Sequence, residues 1–398
     1  MNPNKFLLAA AVAMALPAVT ALAQDKTEEK KAPEYVFTTV KENPISSIKN
    51  QYRSGTCWSY SGIGFLESEI MRIKGYDDVD LSEMFIVRNS YHDRAVKYVR
   101  LDGDLRFGPG SSCEDVLTVI KEYGIVPDSV YSGMNYGTDL PEQSELDAVL
   151  AAYVKAVASN PNRTLTTAWL AGFDGILDAY LGKVPEKFEV GGVEYTPESY
   201  RDYLGINPDD YVSVTSFTHH PYYSQFVVEV GDNWRWDTSY NVPLDEMMEI
   251  IYNAIENGYT IAWGSDVSEK GFTRDGIGVV KEAPKKAAGS DQERWVGKSE
   301  EKPAEEAVTS GEPEITAEMR QDGYDRKTTT DDHGMQIYGI AKDQNGNPFF
   351  MVKNSWGVTG QYDGIWYVSE NFVKYKTMNF LVHKDAIPKD IKKKLNIK

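Results

Sequence analysis

Cysteine and histidine are scarce in this chain, two and five among 398 residues. Two thiols cannot form a disulfide-dense scaffold or a cysteine-rich metal cluster. Positive charge is also in deficit: 60 acids stand against 42 bases, a formal charge of −18. Such a surface repels nucleic acid and anionic membrane, so neither is expected as a partner. The one basic cluster, Lys392-Lys393-Lys394, reads as a solvated tail. Long apolar runs are missing except at the N-terminus. There Lys5, the run from Phe6 through Val19, and Ala21-Leu22-Ala23 before Gln24 read as a signal peptide over 1–23. That run is too short to span a bilayer comfortably, and a charged linker, 24–34, follows it. Gln24, not a cysteine, stands directly after the cleavage point, so the mature chain is expected without a lipid anchor, periplasmic or extracellular. A hydrophobic fraction of 41% with 25 tyrosines describes a folded chain, long enough for two ordinary domains or one large two-lobed one.

Scarcity makes each thiol and imidazole easy to weigh. The stretch from Gln51 to Gly62 turns into helical periodicity at Trp58, which puts Cys57 where a turn becomes a helix. The positive end of a helix dipole favours thiolate, the nucleophilic form. Six positions upstream, Gln51 can present its amide NH2 beside the Cys57 backbone N–H, and two such donors make an oxyanion hole. His92 reads as a surface or capping histidine on a helix. His219-His220-Pro221 has no ligand partner at helical spacing, so no metal and no cofactor are expected. His333 opens the alternating run Asp332-His333-Gly334-Met335-Gln336-Ile337, which reads as a strand. Twenty-one positions on (354 − 333), Val352-Lys353-Asn354-Ser355-Trp356-Gly357 reads as a strand ending in a turn. Asn354 there can accept the His333 ring N–H and fix its tautomer, while Trp356 shields the bond from water. Cys113, ahead of the helical stretch from Glu114, reads as an inert, partly buried thiol. A Cys57–Cys113 disulfide is the alternative, and it would leave Gln51, His333 and Asn354 without a common purpose.

The order of these blocks, Gln and Cys, then His, then Asn-Ser-Trp-Gly, resembles the papain-like cysteine peptidases. The long interval from Cys57 to His333 (333 − 57 = 276 positions) is similar to that of the bleomycin hydrolase or aminopeptidase C family. So are Lys121 to Pro127, Asn241-Val242-Pro243-Leu244 and Trp263-Gly264-Ser265-Asp266-Val267. The resemblance covers about 35–381 and implies an α+β fold of two lobes with the cleft between them. Helices fill the first lobe, roughly 50–215, and an antiparallel sheet or barrel the second, roughly 216–398. It implies peptide-bond hydrolysis through an acyl enzyme, with Cys57 as nucleophile, His333 as acid and base, Asn354 as its orienter, Gln51 at the oxyanion, and Trp58 and Trp356 in support. It further implies aminopeptidase action on peptide substrates, a C-terminal arm lying in the cleft, and a homo-oligomer, a hexamer in that family.

Two departures stand out. The Gly-Gly that lines the family's cleft is replaced by Gly108 and Gly110 with Ser111-Ser112, and a substrate-lining role is carried to Gly108, Gly110 and Ser111. The chain ends in a Lys-rich segment, Ile387 to Lys398, unlike the small apolar ending of the family. Asp331 and Asp332, beside His333, are placed to attract a positive N-terminus, and Asp332 is counted with the substrate-binding residues. Endopeptidase action is the alternative within the class, and a silent peptide-binding module the alternative outside it. A transglutaminase-like transfer fits less well, since its third member is usually Asp.

Between these blocks, helices are expected over 57–74, from Ser82, over 114–123, within 140–180, from Pro197 and over 244–257. Strands are expected over 35–40, 224–230 and 260–264. Asn345-Gly346 marks a hairpin between 336–341 and 349–353, which would hold His333 near Asn354. The segment 281–318 is polar and poor in apolar residues, and is expected to be a mobile insertion.

Overall fold

The computed structural model describes residues 35–161, 164–281 and 311–398. The expected signal peptide, the whole of the linker, Trp295 and the body of the polar insertion lie outside the described residues.

A first strand, β1 (Thr38–Glu42), precedes the helical lobe. That lobe is built from α1 (Cys57–Lys74), α2 (Glu83–Arg100), α3 (Glu114–Tyr123), α4 (Ser144–Ala158), α5 (Ala168–Leu181) and α6 (Pro197–Leu204). A small ribbon of β2 (Phe188–Val190) and β3 (Val193–Tyr195) lies before α6. Nearly all of α1 from Trp58 to Met71 is buried, polar residues included, which marks it as the central helix. Its glycines explain how it can be packed on all sides. A Cβ on Gly62 would stand 2.6 Å from Val116 Cγ2 of α3, and one on Gly64 would stand 3.1 Å from Gln336 Oε1 across the interface with the sheet. The helix stops at Gly75, whose φ of 68° is left-handed and whose N–H bonds the Met71 carbonyl. Ser82 caps α2 by accepting the Phe85 N–H at 3.0 Å, as its sequence position suggests.

The second lobe is one ten-stranded sheet. Its further members are β4 (Tyr211–Thr215), β5 (Gln225–Val227), β6 (Thr238–Asn241), β7 (Ile261–Ser265), β8 (Ile277–Gly278), β9 (His333–Lys342), β10 (Pro348–Lys353), β11 (Ile365–Ser369) and β12 (Thr377–His383). Helices α7 (Leu244–Glu256), α8 (Ala317–Asp325), α9 (Glu370–Lys376) and α10 (Lys389–Lys394) pack around it. The strand order is β5-β6-β4-β12-β7-β9-β10-β11-β8, with β1 also on β9. Most pairings are antiparallel, as expected, but β4–β6 and β8–β11 are parallel, so the sheet is mixed. Nor does the lobe begin at 216: Val214 of β4 pairs with Phe380, and Glu42 of β1 with Gly339, so the sheet draws strands from both ends of the chain.

The hairpin forms where Asn345-Gly346 predicts it. Asp343 Oδ1 accepts the Asn345 and Asn347 N–H groups at 2.9 and 2.8 Å, and Gly346 takes a φ of 85°. Register then pairs Gln336 with Lys353, which leaves His333 at the start of β9 and Asn354 just past the end of β10 on the same side. The expectation of a loose insertion fails at its C-terminal end. Ile315 is buried in the sheet-lobe core, Glu312 accepts the Ser369 hydroxyl at 2.6 Å, and Thr316 caps α8.

The C-terminal segment also departs from expectation. Instead of an arm in the cleft it forms α10, with Ile391 and Leu395 buried in the sheet-lobe core and Lys394 Nζ 2.7 Å from Glu246 on α7. The periodic apolar residues of this Lys-rich helix have a core to cover, and burying them outweighs leaving the tail solvated.

Arg320 of α8 is 1% exposed without a carboxylate partner among the described residues, and burial holds it down to about 9. Its Nε donates to the Ser216 carbonyl at 2.6 Å, its Nη1 to Lys374 and Tyr375 carbonyls at 3.1 and 3.3 Å, and its guanidinium lies over the Phe217 ring. Arg320→Ala leaves three carbonyls without that donor and is expected to cost about 3 kcal/mol. Denaturant unfolding measures this, and an unchanged midpoint would refute it.

Candidate active site

The turn before α1 sets the geometry. Gly55 takes a φ of 67°, and a Cβ there would stand 2.8 Å from Pro109 Cγ, so only glycine lets the turn pass under that loop. Cys57 is then the first residue of α1, half-buried and unbridged; Cys113 is a second free thiol, buried and 3.7 Å from Ser61 Oγ. Gln51 is buried and doubly tied to Ser355. Its N–H donates to the Ser355 carbonyl at 2.8 Å, and its Oε1 accepts the Ser355 hydroxyl at 2.6 Å. With Oε1 so occupied, what Gln51 has to offer is the NH2 group, the donor an oxyanion needs.

His333 Nε2 lies 2.8 Å from Asn354 Oδ1, which also accepts the Ser355 N–H at 2.7 Å. An atom that accepts from a backbone N–H is the carbonyl oxygen of that amide, so the His333 ring must donate to it. The proton therefore sits on Nε2, and Nδ1 carries the lone pair that can take a proton from a thiol. Trp356 stacks on the imidazole, ring centroids 4.7 Å apart, and covers this bond as its position suggests. The start of β9 is pressed onto the first turn of α1. A Cβ on Gly334 would stand 3.3 Å from the Cys57 carbonyl and from Trp58 Cα. The fold thus brings Gln51, Cys57, His333 and Asn354 to one place.

Burial acts on both reactive groups in the same sense, against charge. It pushes the Cys57 thiol up to about 12, opposed by hydrogen bonds from the Gly334 and Trp58 N–H groups and reinforced by the carboxylates of Asp331 and Asp232. It holds His333 down to about 4, opposed by the Asn354 bond. Taken singly, each group is thereby held toward its uncharged form. A proton passed between them makes each the counterion of the other.

Trp58 is buried and donates from Nε1 to the Pro109 carbonyl at 2.9 Å, holding the loop 106–112. Arg94, itself 2% exposed, holds the same loop from below through the Arg106 and Gly108 carbonyls at 2.9 Å and the Gly110 carbonyl. Gly108 and Gly110 therefore sit on a pinned loop beside the turn of Cys57. Ser111 does not serve the cleft. Its hydroxyl is buried, donating to Asp115 and accepting from Trp234 Nε1 at 2.6 Å, because it lies one step past the turn and faces the core.

Asp332 is likewise spent elsewhere. Its carboxylate accepts the Val267 and Ser268 N–H groups at 2.8 and 3.2 Å and the Ser268 hydroxyl, closing the loop after β7. Strand alternation explains this: Asp332 and His333 point to opposite faces, and Asp331 shares the face of the catalytic candidates. Sequence reasoning missed Asp232, whose carboxylate acts on Cys57 together with that of Asp331; its signal was excess acid, which does not say where it gathers. His92 Nδ1 meets Asp174 at 2.7 Å and so ties α2 to α5. His219 and His220 do find a third group, Glu229, with one ligand atom of each within 4.8 Å of the others. That partner comes from beyond a turn, a placement helical spacing does not register.

The chain is similar to known peptidases. The model of the Peptidase C1-like family matches residues 187–283 and 314–398, which include His333 and Asn354. Aminopeptidase G of Lactobacillus delbrueckii subsp. lactis is 21% identical over 89% of this chain and 84% of its own length. Aminopeptidase C of Lactococcus lactis subsp. cremoris is 22% identical over 90% and 84%. The crystal structure of PepW from Lactobacillus rhamnosis HN001 superimposes with a TM-score of 0.68 at 19% identity, covering 90% of this chain and 84% of that one. The shared fold is papain-like.

Proposed function

We propose that this chain, a papain-like cysteine peptidase of the Peptidase C1-like family, is an aminopeptidase that works through Cys57, His333, Asn354 and Gln51. The observation that carries the roles is the His333 to Asn354 bond beneath Trp356, with Gly334 packed against the Cys57 backbone next to it. His333 Nδ1 takes the thiol proton as Sγ attacks the substrate carbonyl carbon, and the new C–S bond turns the carbonyl oxygen into an oxyanion. The Cys57 N–H and Gln51 NH2 hold that oxyanion. Its collapse breaks the C–N bond, and the leaving amine takes the proton from His333. Water then attacks the thioester with His333 as base, releasing the carboxylic acid and restoring the thiol. The relatives named aminopeptidase C and G support exopeptidase action. Rates on free-amine and N-acetylated forms of one peptide test it: a preference for the free amine is expected, and equal rates would make the enzyme an endopeptidase. We also propose that the chain is exported, on the strength of residues 1–23.

The pH profile follows from the imidazole. His333 must be neutral to accept the thiol proton, and burial lowers its proton affinity, so protonation should switch the enzyme off only at low pH. The kcat/KM is expected to fall through about pH 4 as pH drops, where an imidazole at its ordinary value would lose activity near 6.5. A steady-state profile from pH 3 to 8 checks the sign and the midpoint.

A further inference from the structure

Outside the catalytic set, two of the five histidines meet on a scaffold that fixes them from both sides. The loop 217–221 after β4 is held by Asn241, fully buried. Its Oδ1 accepts the Phe217 N–H at 2.9 Å, and its Nδ2 donates to the Phe217 and His220 carbonyls, both at 2.9 Å. Helix α8 then orients the side chains. Gln321 Nε2 donates to Asp325 at 2.9 Å while its Oε1 accepts the Thr218 and His219 N–H groups at 2.7 and 3.2 Å, so this amide has one orientation. His219 Nδ1 lies 3.1 Å from the same Oε1 and must therefore carry the hydrogen. In the neutral ring the lone pair is then on Nε2. One turn along α8, Tyr324 Oη accepts the Glu229 N–H at 3.1 Å and stands 3.2 Å from Glu229 Oε2, which places that carboxylate as well.

The result is that His219 Nε2 and Glu229 Oε2 face each other at 3.5 Å. Two lone pairs so placed repel until a cation joins them, and that cation is either a proton or a metal ion. His220 decides between them, because a proton uses two acceptors and a metal ion more. One ligand atom of each of His219, His220 and Glu229 lies within 4.8 Å of the others. Ligands about 2.0 Å from a tetrahedral ion stand roughly 3.3 Å apart. The 3.5 Å pair already has that spacing, and a turn of the His220 ring, stacked on Phe226 with centroids 4.3 Å apart, completes the set. We propose that His219, His220 and Glu229 bind a divalent transition-metal ion of the zinc class, with a fourth position open to solvent. Two imidazole nitrogens and a carboxylate oxygen suit Zn²⁺, Co²⁺ and Ni²⁺, whereas Mg²⁺ and Ca²⁺ take oxygen ligands. Gln321 is the partner that such a histidine needs on its other ring nitrogen, fixing the tautomer that can ligate. The ion ties the loop 217–221 to the segment after β5, and α8 backs both. Glu229, 64% exposed, leaves the site open to metal from solution. None of these residues belongs to the peptidase set of Gln51, Cys57, His333 and Asn354, so the inference stands apart from that reading.

The test uses the full chain without a polyhistidine tag, its Cys57 thiol first alkylated by iodoacetamide so that it cannot take the ion. Calorimetric titration with zinc chloride is expected to show one ion per chain, bound at least about a hundred-fold more tightly than Mg²⁺ or Ca²⁺. His220→Ala and Glu229→Gln, both at positions that reach solvent, should each weaken zinc about ten-fold or more. Zinc at about a hundred-fold excess over its dissociation constant should raise the melting temperature of the wild type by about 3 °C and leave both variants where they were. The metal-free melting temperatures show that the variants are folded. Zinc binding that survives both substitutions would put the ion elsewhere and overturn the proposal. So would binding no tighter than that of Mg²⁺, which would leave a proton as the link between His219 and Glu229. Peptide hydrolysis is read separately on unalkylated protein, so a chain that binds zinc and hydrolyses nothing sinks the peptidase reading alone.

Discussion

Cys57→Ala is expected to lower hydrolysis of a free-amine peptide by about 10⁴-fold or more, because the whole acyl-transfer route depends on the sulfur. Stability should hardly change. Cys57 is the half-buried first residue of α1, makes no disulfide, and alanine is the better helix former. The two expectations together separate chemistry from folding. Turnover is read with a fluorogenic substrate under reducing conditions, and stability by thermal melting. A variant that melts like the wild type and still hydrolyses within ten-fold of it would remove the sulfur from the mechanism and return attention to a water nucleophile.

Gln51→Ala is expected to reduce kcat by about 10²- to 10³-fold with a much smaller change in KM, since the amide meets the oxygen only once it carries charge. Ser355→Ala should cost less, because Ser355 acts through Gln51: its hydroxyl occupies Oε1 at 2.6 Å and so turns the NH2 outward, while the backbone tie at 2.8 Å remains. Gln51→Glu should be as damaging as alanine or worse, because it replaces a donor with a carboxylate that repels the oxyanion. Separate kcat and KM values decide the matter. A loss confined to KM would mean that Gln51 holds the ground-state peptide and leaves the oxyanion to other donors.

The candidate catalytic residues were legible in the chain because reactive groups were rare and their neighbours constrained them. With five histidines, only His333 opened a strand, and only Asn354 ended the strand that Asn345-Gly346 folds back beside it. Register did the rest: a period-2 hairpin holds two such positions together whatever surrounds it. Helix onset at Cys57 followed from apolar periodicity and was equally local.

Long-range packing decided what local pattern could not. Ser111 looked like cleft lining and turned into the core, Asp332 looked like a substrate acid and closed a loop, and the Lys-rich tail covered apolar surface as α10. The parallel edges of the sheet came from contacts between distant segments. Periodicity and capping are written within a few residues, so composition and order reveal them. The sign of the field at a cleft is a sum over side chains from distant segments, and only the folded chain performs that sum.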